Sequence, residues 1–339
     1  MTFERFPLVI GWETTLSCNL LCQHCGSSAG QPRRNELTTQ EALSICDQFP
    51  DLLVHEVIFT GGEPLLREDW QQIAAYLGDL DIKTKLITNG KLLSPEVISQ
   101  LQDAGIARLG VSVDGLEATH NLIRKDRGLF THIMNSIEKA LGSGLPVTVL
   151  TTVNSLNIKE LPALASLLQS LEVDVWQIQP VFATGRARKT DEFLLSKAEY
   201  VQLGEFIKNY MVSDQALPSL MPGDSFGYYT ELDQRQPAWA GCSAGLDLVG
   251  ITSDGRIKGC LSMPDSLIEA DLRQQSLWDI WFDPNLFSYN RKFSEAELGQ
   301  NCLDCSYGEK CRGGCSTMSY SCTNLFHNDP YCFHKIKSL

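Results

Sequence analysis

The stretch Cys18-Asn-Leu-Leu-Cys22-Gln-His-Cys25 places three cysteines on one short loop. The apolar residues 7–16 precede this loop directly and predict a strand that ends just before the first cysteine. Three thiolates on a tight loop can hold three corners of a cubane iron–sulfur cluster. The fourth iron then has no protein ligand, whereas a structural zinc site is closed by four ligands. The spacing therefore predicts an open metal site of the kind that carries out chemistry, with buried or zinc-bound cysteines as the alternative.

A second motif, Gly61-Gly62-Glu63-Pro64, follows a second predicted strand. With CxxxCxxC after the first strand and this motif after the second, the chain resembles the radical S-adenosylmethionine (SAM) enzymes. The resemblance implies that the three cysteines ligate a 4Fe–4S cluster whose open iron chelates SAM. It also implies that residues 61–64 bind the methionine amino group of SAM, with Glu63 as an acceptor and with glycine amides that approach the ligand without obstruction.

The same resemblance assigns three further residues to the SAM site. Ser112, at the end of the fourth predicted strand, matches a position that contacts the ribose or the carboxylate. Arg124 matches an arginine that often pairs with the SAM carboxylate, and a surface salt bridge is its alternative. His24 precedes the third cysteine, and its ring should pack near the adenine rather than ligate metal.

Composition describes an ordinary globular chain of 339 residues, long enough for one large and one smaller domain. Its net charge of −13, from 41 acidic and 28 basic residues, argues against nonspecific nucleic-acid binding. No apolar run reaches the length of a membrane span, and the N-terminus lacks the regions of a signal peptide. We therefore expect a cytoplasmic protein without membrane or nucleic-acid partners, whose clustered cysteines bind metal in a reducing compartment.

Strand-like and helix-like patterns alternate over residues 1–180. The predicted strands are residues 8–15, 56–60, 83–88, 107–113, 146–152 and 173–180. Six such βα units imply a parallel sheet with helices outside, and the family resemblance makes a partial (β/α)6 barrel the expected α/β fold. Each unusual motif falls at the carboxyl end of a predicted strand, the face that carries the active site in parallel α/β barrels. Thr88-Asn89-Gly90, after the third strand, is either part of this site or an ordinary turn.

Cysteines return in the C-terminal part of the chain. Cys242 and Cys260 flank a predicted hairpin with Asp254-Gly255 as its turn, and a run of spacing CxxCx5CxxxC begins at Cys302. This order resembles the SPASM domain of one radical SAM branch, which normally binds two auxiliary iron–sulfur clusters, so that three clusters are expected in all. Zinc ribbons are the alternative. We therefore divide the chain into a radical SAM barrel (1–185), a bridging region (186–240) and a small cysteine-rich SPASM domain (241–339).

The family pattern also implies how the C-terminal cysteines are shared between the two auxiliary clusters. Four would hold the outer cluster, namely Cys302, Cys305, Cys311 and Cys332. Three would hold the inner cluster, namely Cys242, Cys260 and Cys315.

Three other features have open roles. Cys322 is a fourth ligand of the inner cluster, a hydrogen donor to a substrate radical or an inert thiol. Cys46 lies on a helical apolar stripe and is expected to be a buried core residue. The basic cluster at residues 186–189 is expected either to contact an acidic substrate segment or to be a solvated loop.

These features predict a radical SAM enzyme that reductively cleaves SAM to a 5′-deoxyadenosyl radical, which abstracts hydrogen from an unactivated C–H bond. SPASM proteins most often modify peptides, so we favour maturation of a ribosomally made peptide by a cross-link, a thioether or an epimerisation. Tailoring of a small cofactor of tetrapyrrole or quinone type is the alternative, since a histidine before the third cysteine also occurs in that group. A non-catalytic iron–sulfur scaffold or electron carrier is a third interpretation, but such a protein needs no SAM pocket.

The predicted partners follow from this chemistry. An electron donor of flavodoxin or ferredoxin type would supply the electron. Because 17 residues precede Cys18, we expect no fused leader-binding domain. A separate leader-binding protein, or the enzyme's own surface, would then capture the peptide substrate.

Overall fold

A ten-stranded sheet runs through the part of the chain that our computed structural model describes, which is residues 5–189, 191–213, 218–223, 226 and 241–337. The strands are β1 (Val9–Thr15), β2 (Glu56–Gly61), β3 (Lys83–Thr88), β4 (Ile106–Ser112), β5 (Val147–Val153), β6 (Val175–Pro180), β7 (Ser219–Pro222), β8 (Leu248–Ile251), β9 (Arg256–Lys258) and β10 (Ala270–Asp271). Their order across the sheet is β10-β9-β8-β1-β2-β3-β4-β5-β6-β7. From β8 to β7 every neighbouring pair is parallel, so the carboxyl ends of these strands share one edge.

Helices follow the first six strands and pack outside the sheet. They are α1 (Thr39–Cys46), α2 (Trp70–Asp79), α3 (Pro95–Asp103), α4 (Glu117–Arg124), α5 (Leu129–Gly142), α6 (Leu161–Ser170) and α7 (Lys197–Val212). Shorter helices follow in the C-terminal part: α8 (Leu277–Phe282), α9 (Ser288–Arg291), α10 (Gly308–Cys311), α11 (Ser316–Thr323) and α12 (Phe333–Lys337). Short 3-10 helices lie at Pro64–Leu66, Ile158–Glu160, Ala187–Lys189, Asp191–Phe193, Asp265–Leu267 and Glu295–Glu297.

Local sequence signals account for several helix starts. Thr38 and Glu41 form a capping box at the start of α1, in which each side chain bonds the other's backbone. The Ser94 side chain caps α3 and accepts a hydrogen bond from the Val97 amide. The apolar stripes of these helices are buried against the sheet, and Cys46 is fully buried among them, as expected. None of the helices in the described ranges is long and apolar enough to cross a membrane.

The six predicted strands are all present, with ends that differ by at most two residues from the prediction. The structure adds a parallel strand at each side of this barrel sheet. β7 pairs with β6, although it lies in the predicted bridging region, and β8 pairs with β1, although it lies in the predicted C-terminal domain. Residues 227–240 of the bridging region lie outside the described residues. The division into three regions stays a prediction, but segments from all three belong to one sheet.

The predicted hairpin is confirmed. β8 and β9 pair antiparallel, and the Gly255 amide donates to the Thr252 carbonyl across the turn. Gly255 has a φ of 84°, which glycine adopts without strain. Because β8 pairs with β1 in parallel, the Gly255 turn lies at the carboxyl edge of the barrel, and β9 then runs back along β8.

Candidate functional site

The loop that carries the first three cysteines leaves the carboxyl end of β1. It is closed at its base because Cys18 donates its amide to the Gly30 carbonyl, at 3.2 Å, and Gly30 donates to the Leu16 carbonyl, at 3.0 Å. The pKa of the Cys22 thiol is raised to about 11, mainly by burial. The charges of Cys25 and Cys18 also raise it, whereas the Arg124 guanidinium lowers it. The three thiols are therefore close enough to repel one another as thiolates, and a bound metal cluster would relieve that repulsion.

The thiol geometry also bears on the zinc alternatives. Across the described ranges, no three His, Cys, Asp or Glu side chains converge as ligands of one metal ion must. Four thiolates around a single zinc ion lie closer together than thiolates around the larger cubane of an iron–sulfur cluster. Among the described residues, the thiols therefore form no closed site for a single metal ion.

The glycines of the second motif are required by the protein itself. Gly61 has a φ of 131°, and a Cβ on Gly62 would lie 2.0 Å from the Ser17 carbonyl oxygen. The Gly62 amide donates to the Thr15 carbonyl and the Glu63 amide to the Ser17 carbonyl, each at 2.8 Å. The motif therefore locks the end of β2 against the chain that enters the cysteine loop. The Gly62 amide is engaged by the Thr15 carbonyl, and the role of residues 61–64 in binding the SAM amino group stays a prediction.

Glu63 is fully buried and holds the end of β3. Its carboxylate accepts hydrogen bonds from the Thr88 hydroxyl and the Asn89 amide, each at 2.8 Å. Burial raises the pKa of Glu63 to about 7, although these bonds lower it. The structure thus gives Glu63 partners other than the predicted SAM amino group. It also shows that Thr88-Asn89-Gly90 is more than a turn, because the Asn89 side chain donates to the Cys18 Sγ, at 3.7 Å.

His24, Asp114 and Arg124 form a buried charged group below the cysteine loop. The Nε2 of His24 lies 2.9 Å from Oδ2 of Asp114, and Arg124 reaches the same oxygen through Nε, at 2.8 Å, and Nη2, at 2.7 Å. Burial by itself would raise the pKa of Asp114. The charges of Arg124 and His24 outweigh this effect and lower the pKa, so the carboxyl stays ionised. The alternative of a surface salt bridge for Arg124 is wrong, since the ion pair is buried. Pairing of Arg124 with the SAM carboxylate stays a prediction, and sequence reasoning gave Asp114 no role.

A cavity of about 310 Å³ opens at the carboxyl edge of the barrel beside the cysteine loop. Of the residues predicted to bind SAM, Gly61, Ser112 and His24 line this cavity, whereas Glu63, Pro64 and Arg124 are absent from its described lining. The Nδ1 of His24 is buried and has no hydrogen-bond partner among the described residues, so it is a polar atom for which the described chain supplies no bond.

The C-terminal part of the chain completes this cavity. Leu261 and Ser262, directly after Cys260, line it together with the barrel residues. They are held there by Arg33, whose guanidinium binds Glu13 of β1, with Nε 2.5 Å from Oε1, and Asp265, with Nη1 2.6 Å from Oδ2. This three-residue bridge joins the barrel mouth to the segment after the hairpin. Sequence reasoning missed it, because its members are far apart along the chain.

Arg186 lies in the chain after β6 and holds the cysteine loop from the other side. Its Nη1 donates to the Ala29 carbonyl and its Nε to the Cys22 carbonyl, each at 2.7 Å, while its amide donates to the Cys25 carbonyl, at 2.9 Å. Neither predicted role of the basic cluster, substrate contact or solvated loop, describes Arg186. The exposed Arg188 fits the second one.

The C-terminal cysteines lie in two groups, and their division as ligands of two auxiliary clusters stays a prediction. In one, burial raises the pKa of Cys315, and the charges of Cys242 and Cys260 raise it further. In the other, Cys311 packs against Cys332. Burial raises the pKa of Cys302 to about 12, and the charges of Cys332 and Cys305 also raise it.

Cys322 is an exposed residue outside these packed groups. Its Sγ lies 3.7 Å from the Met318 Sδ and lines a small recess with Val181, just after β6, and Tyr331.

A buried residue that sequence reasoning missed, Asp329, lies nearer the cysteines. Its backbone amide donates a hydrogen bond to the Cys302 thiol, and its Oδ2 has no partner among the described residues. The turn-forming run Asn328-Asp329-Pro330 was the available sequence signal.

Comparison with known proteins places these observations in a family. The model of the Radical SAM superfamily matches residues 12–168. The chain is 30% identical to the AdoMet-dependent heme synthase of Methanosarcina barkeri, over 97% of each chain. It is 27% identical to the mycofactocin maturase MftC of Mycolicibacterium smegmatis, over 94% of this chain and 81% of that protein.

Two solved structures share the fold. Streptococcus suis SuiB bound to precursor peptide SuiA superposes with a TM-score of 0.79 at 19% identity, over 97% of this chain and 76% of that chain. Native anSMEcpe with bound AdoMet and Cp18Cys peptide has a TM-score of 0.75 at 18% identity, over 98% of this chain and 95% of that chain.

Proposed function

The chain belongs to the radical SAM superfamily, and we propose that it matures a ribosomally made peptide by abstracting a hydrogen atom from it. Its cofactors are 4Fe–4S clusters and SAM. We assign Cys18, Cys22 and Cys25 to the cluster that chelates SAM, and the two C-terminal cysteine groups to auxiliary clusters. When bound, the first cluster and SAM supply reductive cleavage of the sulfonium bond and removal of a substrate hydrogen atom.

The chain's own residues position these groups. The bonds from Arg186 and Asn89 fix the cysteine loop, and the ionised Asp114 fixes the His24 ring beside the cavity. Leu261 and Ser262 cover the cavity from the C-terminal side and so restrict the access of water. Rigid support of this kind keeps a reactive group and its target at the distance and orientation that the reaction needs.

The polar lining of the cavity is the observation that favours a peptide. Its described walls carry the hydrogen-bonding side chains of Gln177, Gln179 and Ser262 beside the carboxylate of Glu13 and several apolar residues, and no lysine or arginine. Side chains of this type pair well with the amide groups of a peptide backbone. SuiB and anSMEcpe, the two structural neighbours with a bound peptide, also favour a peptide substrate, although their similarity to this chain extends to the fold alone.

Tailoring of a tetrapyrrole is the second candidate. The relative at 30% identity is a heme synthase, and it matches this chain from end to end. The carboxylates of a tetrapyrrole need cationic partners when they are buried. The described cavity lining offers none, so the geometry ranks this candidate below the peptide.

One experiment separates the candidates. The reconstituted, reduced protein is incubated anaerobically with SAM and either a peptide encoded beside the gene or Fe-coproporphyrin III, and 5′-deoxyadenosine and product masses are measured. We expect 5′-deoxyadenosine together with a mass change in the peptide. A mass change in the porphyrin alone would establish the second candidate. Absence of 5′-deoxyadenosine under every condition would leave only the scaffold or electron-carrier interpretation.

Two further expectations belong to this proposal. We place the enzyme in the cytoplasm, because thiolates that hold iron–sulfur clusters need a reducing compartment. A separate leader-binding protein can be detected by asking whether its addition increases the rate of peptide modification.

A further inference from the structure

A surface cleft of about 720 Å³ lies in the C-terminal part of the chain, and no described residue lines both this cleft and the SAM cavity. Its floor includes Trp281 and Phe293. Nothing in the proposed reaction at the barrel mouth uses this cleft. A partner bound here would leave the substrate entrance open.

The charge of the cleft is opposite to that of the whole protein. The basic residues Arg5, Arg291, Lys292 and Arg312 line it, against the acidic residues Glu295 and Glu309. The chain as a whole carries a net charge of −13. A local excess of positive charge in such a chain creates a field that attracts an acidic partner.

The hydrogen bonds of Arg291 go to backbone carbonyls, those of Gly245 at 2.7 Å and Trp281 at 2.6 Å, and not to a carboxylate. The carboxylates of Glu269 and Asp283 act on Arg291 through their charges, without a hydrogen bond, and Asp247 acts on Arg5 in the same way. Arg5 and Arg312 line the same cleft, beside Arg291 and Lys292. Like charges held together repel one another, and an anionic surface placed over them removes that repulsion.

The cleft lies directly behind both auxiliary cysteine groups. Asn290 on its wall donates to the Cys242 carbonyl, at 2.7 Å, and Cys242 belongs to the inner group. Arg312 on the same wall follows Cys311 of the outer group in sequence. A partner in the cleft would therefore lie close to a cysteine of each auxiliary group.

We propose that this cleft docks the acidic surface of a small one-electron carrier protein of the flavodoxin or ferredoxin class. The inference rests on the proposed radical SAM function, which requires an electron source. The carrier gives up one electron, an auxiliary cluster takes up one, and no bond forms or breaks. Electron-transfer encounters are small and weak, and electrostatic steering sets their rate, so a charged cleft of this size suits such a partner.

The test uses the reconstituted full-length protein and oxidised flavodoxin of net negative charge as the probe. The affinity of flavodoxin for the protein is measured anaerobically by calorimetry at two ionic strengths. Three proteins are compared: the wild type, the double variant Arg5→Glu/Lys292→Glu and the variant Lys139→Glu. Arg5 and Lys292 are exposed in the cleft, whereas Lys139 is exposed on α5, away from it. We expect at least about a tenfold loss of affinity in the double variant, and a smaller dependence on salt, with no change in Lys139→Glu.

SAM cleavage driven by dithionite is the second readout, because a small reductant needs no docking site. We expect the double variant to cleave SAM normally with dithionite and slowly with reduced flavodoxin. Wild-type affinity in the double variant, or an equal loss in Lys139→Glu, overturns the docking site. Failure of the wild type to cleave SAM with dithionite overturns the proposed function instead, while the calorimetric result still reports on the cleft.

Discussion

The guanidinium Nε of Arg186 donates a hydrogen bond to the backbone carbonyl of Cys22, at 2.7 Å. The donor follows the last strand of the predicted barrel, and the acceptor is the middle cysteine of the first motif. A loop with three metal ligands has few internal hydrogen bonds of its own, so support from another part of the chain fixes its shape. The carboxyl end of β6 thus determines the geometry of a site built after β1.

Loss of this support should weaken the first cluster selectively. We expect Arg186→Ala to lower the iron content after reconstitution from about twelve to about eight per chain, because charge-assisted bonds contribute about 1.5–3 kcal/mol each. Iron and sulfide analysis measures this directly. Arg188→Ala is the matched control, since Arg188 is exposed and two residues away. Equal iron contents in the two variants would show that the Arg186 contact does not support the cluster.

Substitution of Gly62 tests the lock between β1 and β2. We expect Gly62→Ala to destabilise the protein by about 3 kcal/mol, because the added Cβ would overlap the Ser17 carbonyl. Gly78→Ala is the control in helix α2, where a Cβ meets no atom within 4 Å, and it should stabilise by about 0.5–1 kcal/mol. Thermal unfolding of the purified variants gives both values. A Gly62→Ala protein as stable as the wild type is incompatible with this packing.

Cys22 and Cys46 provide a matched pair of cysteine substitutions. We expect Cys22→Ala to abolish 5′-deoxyadenosine formation while the C-terminal clusters still assemble, since only the first site has an open iron. Cys46 is buried in the core, so Cys46→Ala should cost about 1–2 kcal/mol of stability and leave both iron content and SAM cleavage unchanged. Chromatography of the reaction products and iron analysis check both. Persistent SAM cleavage in Cys22→Ala contradicts the central assignment.

Cys322 should prove not to be a cluster ligand. Its Sγ contacts Met318 and lines a recess after β6, so we expect Cys322→Ala to keep full iron content and unchanged electron paramagnetic resonance spectra. SAM cleavage should persist as well. Loss of product with intact SAM cleavage would identify Cys322 as a hydrogen donor, and normal product would identify an inert thiol. Loss of an auxiliary signal would restore the ligand role.

Sequence reasoning recovered what depends on nearby residues. The six barrel strands, the capping box at Thr38 and the turn at Gly255 all follow from patterns within a few residues. The edge strand β7 escaped because four residues with proline at the end give little signal, and an edge position tolerates that proline. The pairing of β8 with β1 escaped because it depends on residues far apart in the chain.

In the candidate site, too, features that depend on nearby residues were predicted and contacts between distant residues were not. The sequence marks Gly62 as a place of close approach, but not whether the approaching group is a ligand or, as here, the Ser17 carbonyl. Arg186 was visible only as one of several basic residues, and its partner lies in another loop. Residue type thus predicted which positions matter, whereas the partner of each position depended on the tertiary fold.

The pairing of Val9 with Leu248 also has a consequence for synthesis of the chain. On the ribosome β1 can pair with β2 early, but its other edge stays open until β8 has emerged. Open strand edges promote aggregation, and contacts this distant in sequence form slowly. We therefore expect the nascent barrel to depend on chaperones until the hairpin arrives, and C-terminal truncations before Leu248 to aggregate rather than accumulate as folded barrels.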